Sequence, residues 1–103
     1  MAVFAVTSIK GPSWDPERQR REQRGWTAHA AFMDRLVDEG FVLLGGPVGD
    51  GEDVLLAVEA RDEDELRSRL GADPWEPAGI LRFGPILPWT LWLDGRPHGR
   101  ARP

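Results

Sequence analysis

His29 is the side chain best suited to moving protons near neutral pH, and its surroundings in the chain are unusual for a histidine. It sits in TAHAAFMDRLVDEG, residues 27 to 40, where apolar residues recur with helical spacing. At about 100° per residue, Trp26, Ala30, Phe32, Met33, Leu36 and Val37 all fall within roughly 100° of His29. An imidazole inside that arc points at the core, where a leucine would pack without needing hydrogen-bond partners. Two readings follow: a proton-transfer group, or a core histidine satisfied by a backbone carbonyl. A carboxylate to orient the ring must come from another element, because Asp38 lies about 180° around the helix and Asp34 also falls outside the arc. Asp73 is the plausible source. It has a competing duty, since an aspartate before Pro74 caps the turn that the proline begins.

Other chemistries find no support. The chain has no cysteine, so thiolate nucleophiles, disulfides and cysteine metal sites are excluded, and a cytoplasmic location is expected. His29 and His98 are the only histidines, and no metal site has ligand spacing. The run Gly45 to Gly51 invites a phosphate-loop reading, but a strand follows it, it contains no lysine, and its spacing fits no nucleotide pattern. Gly45 and Gly46 are expected to allow a bulge or the close approach of a ligand. No serine nucleophile elbow or organic cofactor motif is visible. A net charge of -4 and pI near 5.1 disfavour nucleic acid as a partner. The cluster Arg18, Arg20, Arg21 and Arg24, interrupted by Glu22, reads as the solvated face of a helix start. The five tryptophans suit core and interface burial or the lining of an apolar pocket.

The elements that must position these residues can be read in order. With 103 residues, 41% hydrophobic and 29% charged, the chain fits one globular core. Its apolar runs are too short for a membrane span, and no secretory signal precedes the first strand. Residues 2 to 10 alternate as a strand. Asp15, Pro16 and Glu17 signal a helix running to Glu39 and stopping at Gly40, with Gly25 as a point where it kinks or begins afresh. Strands at 41 to 48 and 53 to 60 form a hairpin through Gly49, Asp50 and Gly51. A short helix spans 62 to 71, and Asp73 with Glu76 suggests a capping box and a further single turn. The last stretch, from Ile80, is broken by Pro85 and Pro88 and is expected as an edge strand bent into two pieces.

This order, βαββαβ, is the ferredoxin-like α+β arrangement: a four-stranded antiparallel sheet with both helices on one face. Val54, Leu56 and Val58 alternate with Leu55 and Ala57, so neither face of the third strand suits water. We therefore expect a second sheet over the free face, in a homodimer. The alternative is a C-terminal segment, with Trp89 and Trp92, folding over it.

Together the residues resemble the YCII-related family. The resemblance rests on the first strand, His29, the Asp38-Glu39-Gly40 helix end, the strand leading to Gly46-Pro47, the Asp73-Pro74 step, and Gly79 opening the last strand, and it extends to about residue 93. It implies a domain over 1–94 with a flexible tail, 95–103, a dimeric α+β barrel, and a site at His29 and Asp73. Trp26, Met33, Gly46, Pro47 and Trp75 are the candidate ligand-binding residues around it. The implied activity is proton transfer or elimination on a small organic acid, aromatic-derived or halogenated, in the manner of dehydrochlorinases and muconolactone isomerase-like relatives. No cofactor or metal is expected. A non-catalytic, ligand-binding or regulatory homodimer is the competing reading. The charged segment from Asp15 to Arg24 and the Pro85, Pro88, Trp89 ending depart from the family pattern, so substrate choice does not carry across.

Overall fold

In the computed structural model, which describes residues 1–97, four strands form one antiparallel sheet: β1 (Ala2–Lys10), β2 (Val42–Val48), β3 (Asp53–Ala60) and β4 (Leu81–Pro88). They lie in the order β2-β3-β1-β4, with α1 (Trp26–Asp38) between β1 and β2 and α2 (Glu63–Leu70) between β3 and β4. This is the expected ferredoxin-like arrangement. Strand alternation decides which side chains meet the helices. Phe4 and Val6 of β1, Val42 of β2, and Leu56, Val58 and Ala60 of β3 join Leu36 of α1 and Leu66 and Leu70 of α2 in one buried cluster. No described helix is long and apolar enough to cross a membrane.

Local signals set two helix ends. At the end of α1 the Gly40 N–H donates to Val37 O and the Phe41 N–H to Leu36 O; this pattern closes the last turn and seats Phe41 in the core. At the start of α2, Asp62 accepts from the Glu65 N–H, and the Glu65 side chain accepts from the Arg61 N–H, satisfying two otherwise orphaned donors.

The start of α1 differs from expectation. No helix forms at Asp15; residues 11 to 25 make an irregular loop with one 3₁₀ turn, Arg20–Glu22. The Asp15 carboxylate accepts from the Glu17 N–H in a local turn, a use that competes with capping. Buried Gln23 then closes the loop, accepting from the Asp15 N–H and donating to the carbonyls of Asp15 and Arg18. Gly25, at φ 80°, turns the chain into the helix. That left-handed conformation strains any residue with a side chain.

Three smaller differences follow. The segment after Asp73 is a run of turns rather than a helical turn, with the Glu76 N–H donating to Asp73 O and the Gly79 N–H to Glu76 O. β4 is one edge strand rather than two pieces, and a register shift opposite Val6 and Ser8 absorbs the irregularity at Gly84 and Pro85. On β2 the irregularity lies between Val42 and Leu44, ahead of the glycines. A Cβ at Gly45 would stand 2.4 Å from Leu56 Cδ2 and 3.2 Å from Leu55 O, so its close approach is to β3 and the core.

On the face away from the helices, residues following β4 turn back across the sheet. The Trp89 N–H donates to Val3 O, and Trp89 and Leu91 share a recess with Leu43, Leu44 and Ala57. The cover is partial: Trp92 is 89% exposed. Of the expected tail, Arg96 pairs with Asp94, while residues 98–103, His98 among them, lie outside the described residues.

Candidate active site

His29 lies in the first turn of α1, and the late start of that helix leaves its direction unchanged, because the arc depends only on local spacing. The residue is buried. Its Nδ1 stands 2.6 Å from Asp73 Oδ2. The other Asp73 oxygen, Oδ1, accepts from the Trp75 N–H at 2.9 Å. One carboxylate therefore closes its own turn and holds the ring, so the two duties considered for Asp73 do not compete. An ionised carboxylate can only accept, so opposite the Asp73 carboxylate Nδ1 carries the proton and donates, which leaves the lone pair of the neutral ring on Nε2.

Trp75 fixes the plane of the imidazole. The two rings stack with centroids 3.9 Å apart and an angle of 6° between planes. Trp75 is anchored by its Nε1–H, which donates to Arg24 O at 2.7 Å, and by Trp14 and Trp26 packed against it. It is 1% exposed.

His29 and Asp73 line a cavity of about 70 Å³ with Val6, Met33, Leu56 and Phe83. A wider recess of about 300 Å³ shares Arg20, His29, Met33, Val54 and Leu56 with it and adds Trp26, Gly46 and Pro47. The recess and the cavity lie against each other along those shared walls. An apolar cavity that holds benzene measures roughly 150 Å³, so the recess has room for a single ring and the inner cavity alone does not. Trp26, Met33, Gly46 and Pro47 thus all border this space, whereas Trp75 lines neither part and sits behind the imidazole. Among the described residues no group of three or more His, Cys, Asp or Glu side chains could hold a metal ion.

Two further walls, Arg20 and Glu76, escaped the sequence reading. Arg20 belongs to the cluster taken as a solvated face, and Glu76 was read as a cap; only the folding of their loops turns them inward. Burial lowers the pKa of the Arg20 guanidinium. Burial, and then the negative charge of Asp73, push the Glu76 carboxyl up to about 7. A raised acid favours folding while it stays protonated. That contribution is complete below the ordinary value of 4.5 and is lost as pH rises through about 7. Glu76→Gln is therefore expected to stabilise the protein above neutrality and leave it unchanged below about pH 4.5. Because the carboxyl still meets water, the gain is about 1 kcal/mol, a rise in Tm on the order of 5 °C in melts at alkaline pH. Equal melting of the two proteins at both ends of the range would contradict it.

No family model matches the chain, and no curated protein matches it. Among solved structures it is similar to the 5-chloro-2-hydroxyhydroquinone dehydrochlorinase (TftG) from Burkholderia phenoliruptrix AC1100, solved in complex with 2,5-dihydroxybenzoquinone. The TM-score is 0.55 and the identity 24%, over 89% of this chain and 95% of that one. A likeness at that identity establishes the shared fold.

Proposed function

We propose that this chain is a small-molecule enzyme of the YCII-related type, in which His29, oriented by Asp73, moves a proton on a small organic acid, aromatic-derived or halogenated. The observation that carries this reading is the 2.6 Å bond from His29 Nδ1 to Asp73 Oδ2 in a ring that lines a cavity. The carboxylate holds one nitrogen protonated and stabilises the imidazolium formed when Nε2 accepts a proton. If the substrate carries chlorine, the electron pair freed from the broken bond to hydrogen forms the new double bond. Chloride leaves with its own bonding pair, so the net loss is HCl. Without a leaving group the same base supports isomerisation. The dehydrochlorinase of the same fold, solved with a dihydroxybenzoquinone, supports this substrate class. Trp26, Met33, Gly46 and Pro47 form the ligand walls, and Trp75 backs the imidazole.

The domain, 1–94, acts as a homodimer through the sheet face away from the helices. Leu44, Val48 and Leu87 remain largely exposed, and they pair with Ala57, Asp53 and Ala5, which alternation puts on that face. A cytoplasmic setting suits a chain without cysteine.

The test is a panel of hydroxylated and chlorinated quinols and small organic acids, with 5-chloro-2-hydroxyhydroquinone among them, followed by thermal shift and by product or chloride release. At least one compound should stabilise the wild type and be turned over, and His29→Ala should abolish the turnover. Compounds that stabilise both proteins equally and emerge unchanged would make this a ligand-binding homodimer instead.

A further inference from the structure

The cavity beside His29 holds more charge than the His29–Asp73 pair uses. Arg20 enters it from the 3₁₀ turn and Glu76 from the turns after Asp73. Neither side chain has a hydrogen-bond or ion-pair partner among the described residues. The guanidinium lies over the Trp14 ring, 5.1 Å from its centroid, which orients it without neutralising it. A guanidinium and a carboxyl partly taken out of water leave hydrogen-bonding capacity unmet unless something in the cavity takes it up. These two line the same cavity and do not approach within ion-pair distance. The space between them is where a third, polar group belongs.

We infer that Arg20 and Glu76 are the two poles of a binding site for a flat, single-ring organic anion. Arg20 holds its charged carboxylate or phenolate oxygen, and Glu76, in its protonated form, donates to a second oxygen of the same group or ring. The inference deepens the function proposed above and rests on it, since it takes the cavity as the ligand site. Arg20 borders both the inner cavity and the outer recess, so a ring seated against that shared wall presents its acidic oxygen to the guanidinium. The fork of a guanidinium suits both oxygens of a carboxylate. The remaining walls, such as Val54 and Leu56, take the ring itself.

The pairing has a signature in pH. The charged groups facing Glu76 are Asp73 from its own loop, His29 from α1 and Arg20 from the 3₁₀ turn. An arriving anion favours the neutral form of Glu76, so above about pH 7 binding must take up a proton and weakens as the pH rises. Glu76→Gln isolates the part of the trend that belongs to Glu76.

The experiment titrates benzoate and neutral benzamide into the full chain, following the Trp26 indole signal by NMR. Benzoate should bind at least about tenfold more tightly than benzamide. Arg20→Met should remove that preference and leave benzamide unchanged, and Arg20→Lys should keep part of it; a melt of each variant reports folding. Glu76→Gln should flatten the fall in benzoate affinity between about pH 6.5 and 8.5. Equal binding of both probes, unaltered in the Arg20 variants, would overturn this inference and leave the cavity standing as a ligand site. Failure of both probes to bind the wild type would overturn this inference and the ligand site together.

Discussion

Asp73→Asn is expected to leave the protein folded while lowering turnover by roughly 10²- to 10⁴-fold, the range a positioned general base supplies. The asparagine oxygen can still accept from the Trp75 N–H, which the Asp73 Oδ1 accepts at 2.9 Å. Its amide nitrogen then faces His29 Nδ1, where Oδ2 stood at 2.6 Å. An amide N–H can only donate, so Nδ1 becomes the acceptor and the ring proton moves to Nε2. The geometry survives and the base is lost. Asp73→Ala adds a second effect, because two buried donors lose their acceptor at about 1–3 kcal/mol each. The pair acts as a unit, so His29→Ala combined with Asp73→Asn should be no slower than the worse single variant. Turnover of the most active panel compound, read beside melting temperature, checks this. An Asp73→Asn variant within about threefold of wild type would contradict the assignment.

The largest loss of stability is expected at Trp75, not at a residue of the main sheet core. Trp75→Ala empties a site that is 1% exposed and removes the ring that stacks on His29 and packs against Trp14 and Trp26. It also frees the Arg24 carbonyl from its 2.7 Å bond. Truncating a buried aromatic costs about 3–5 kcal/mol, against a total stability of about 5–15 kcal/mol for a typical domain. Tm should fall on the order of 15 to 30 °C. Trp75→Phe keeps a ring behind the imidazole and loses the Nε1 bond, so a cost of about 1–2 kcal/mol is expected. Circular dichroism melts measure both. A loss below about 1 kcal/mol in the alanine variant would show that the surrounding loops collapse into the gap.

How much of this was legible in the chain depended on whether the deciding contact was local. The hairpin, the end of α1 at Gly40 and the start of α2 at Asp62 rest on neighbours within a few residues, and they read correctly. The inward aim of His29 was legible for the same reason. The loop from 11 to 25 was not: Asp15 and Pro16 carry the same signal whether they start a helix or an Asx turn. What decides between them is distant, with Trp75 bonding Arg24 O across 51 positions and Gln23 gathering the loop beneath it. That outcome also determines the site walls. Once 15 to 24 is a loop and not a helix face, Arg20 turns into the cavity, and the charge cluster that read as solvated surface contributes a pole to it. Trp75 was read as a pocket wall because spacing cannot tell a ring that touches a ligand from one that stacks behind the side chain that does.

The most direct measurement is ¹⁵N NMR of the histidine ring nitrogens at neutral pH, with His29→Ala identifying the His29 signals. A single tautomer is expected, with the proton on Nδ1 in a strong hydrogen bond and an unprotonated Nε2 whose signal moves when a panel ligand binds. A proton resting on Nε2, or a ring exchanging freely between the two forms and indifferent to every ligand, would contradict the account.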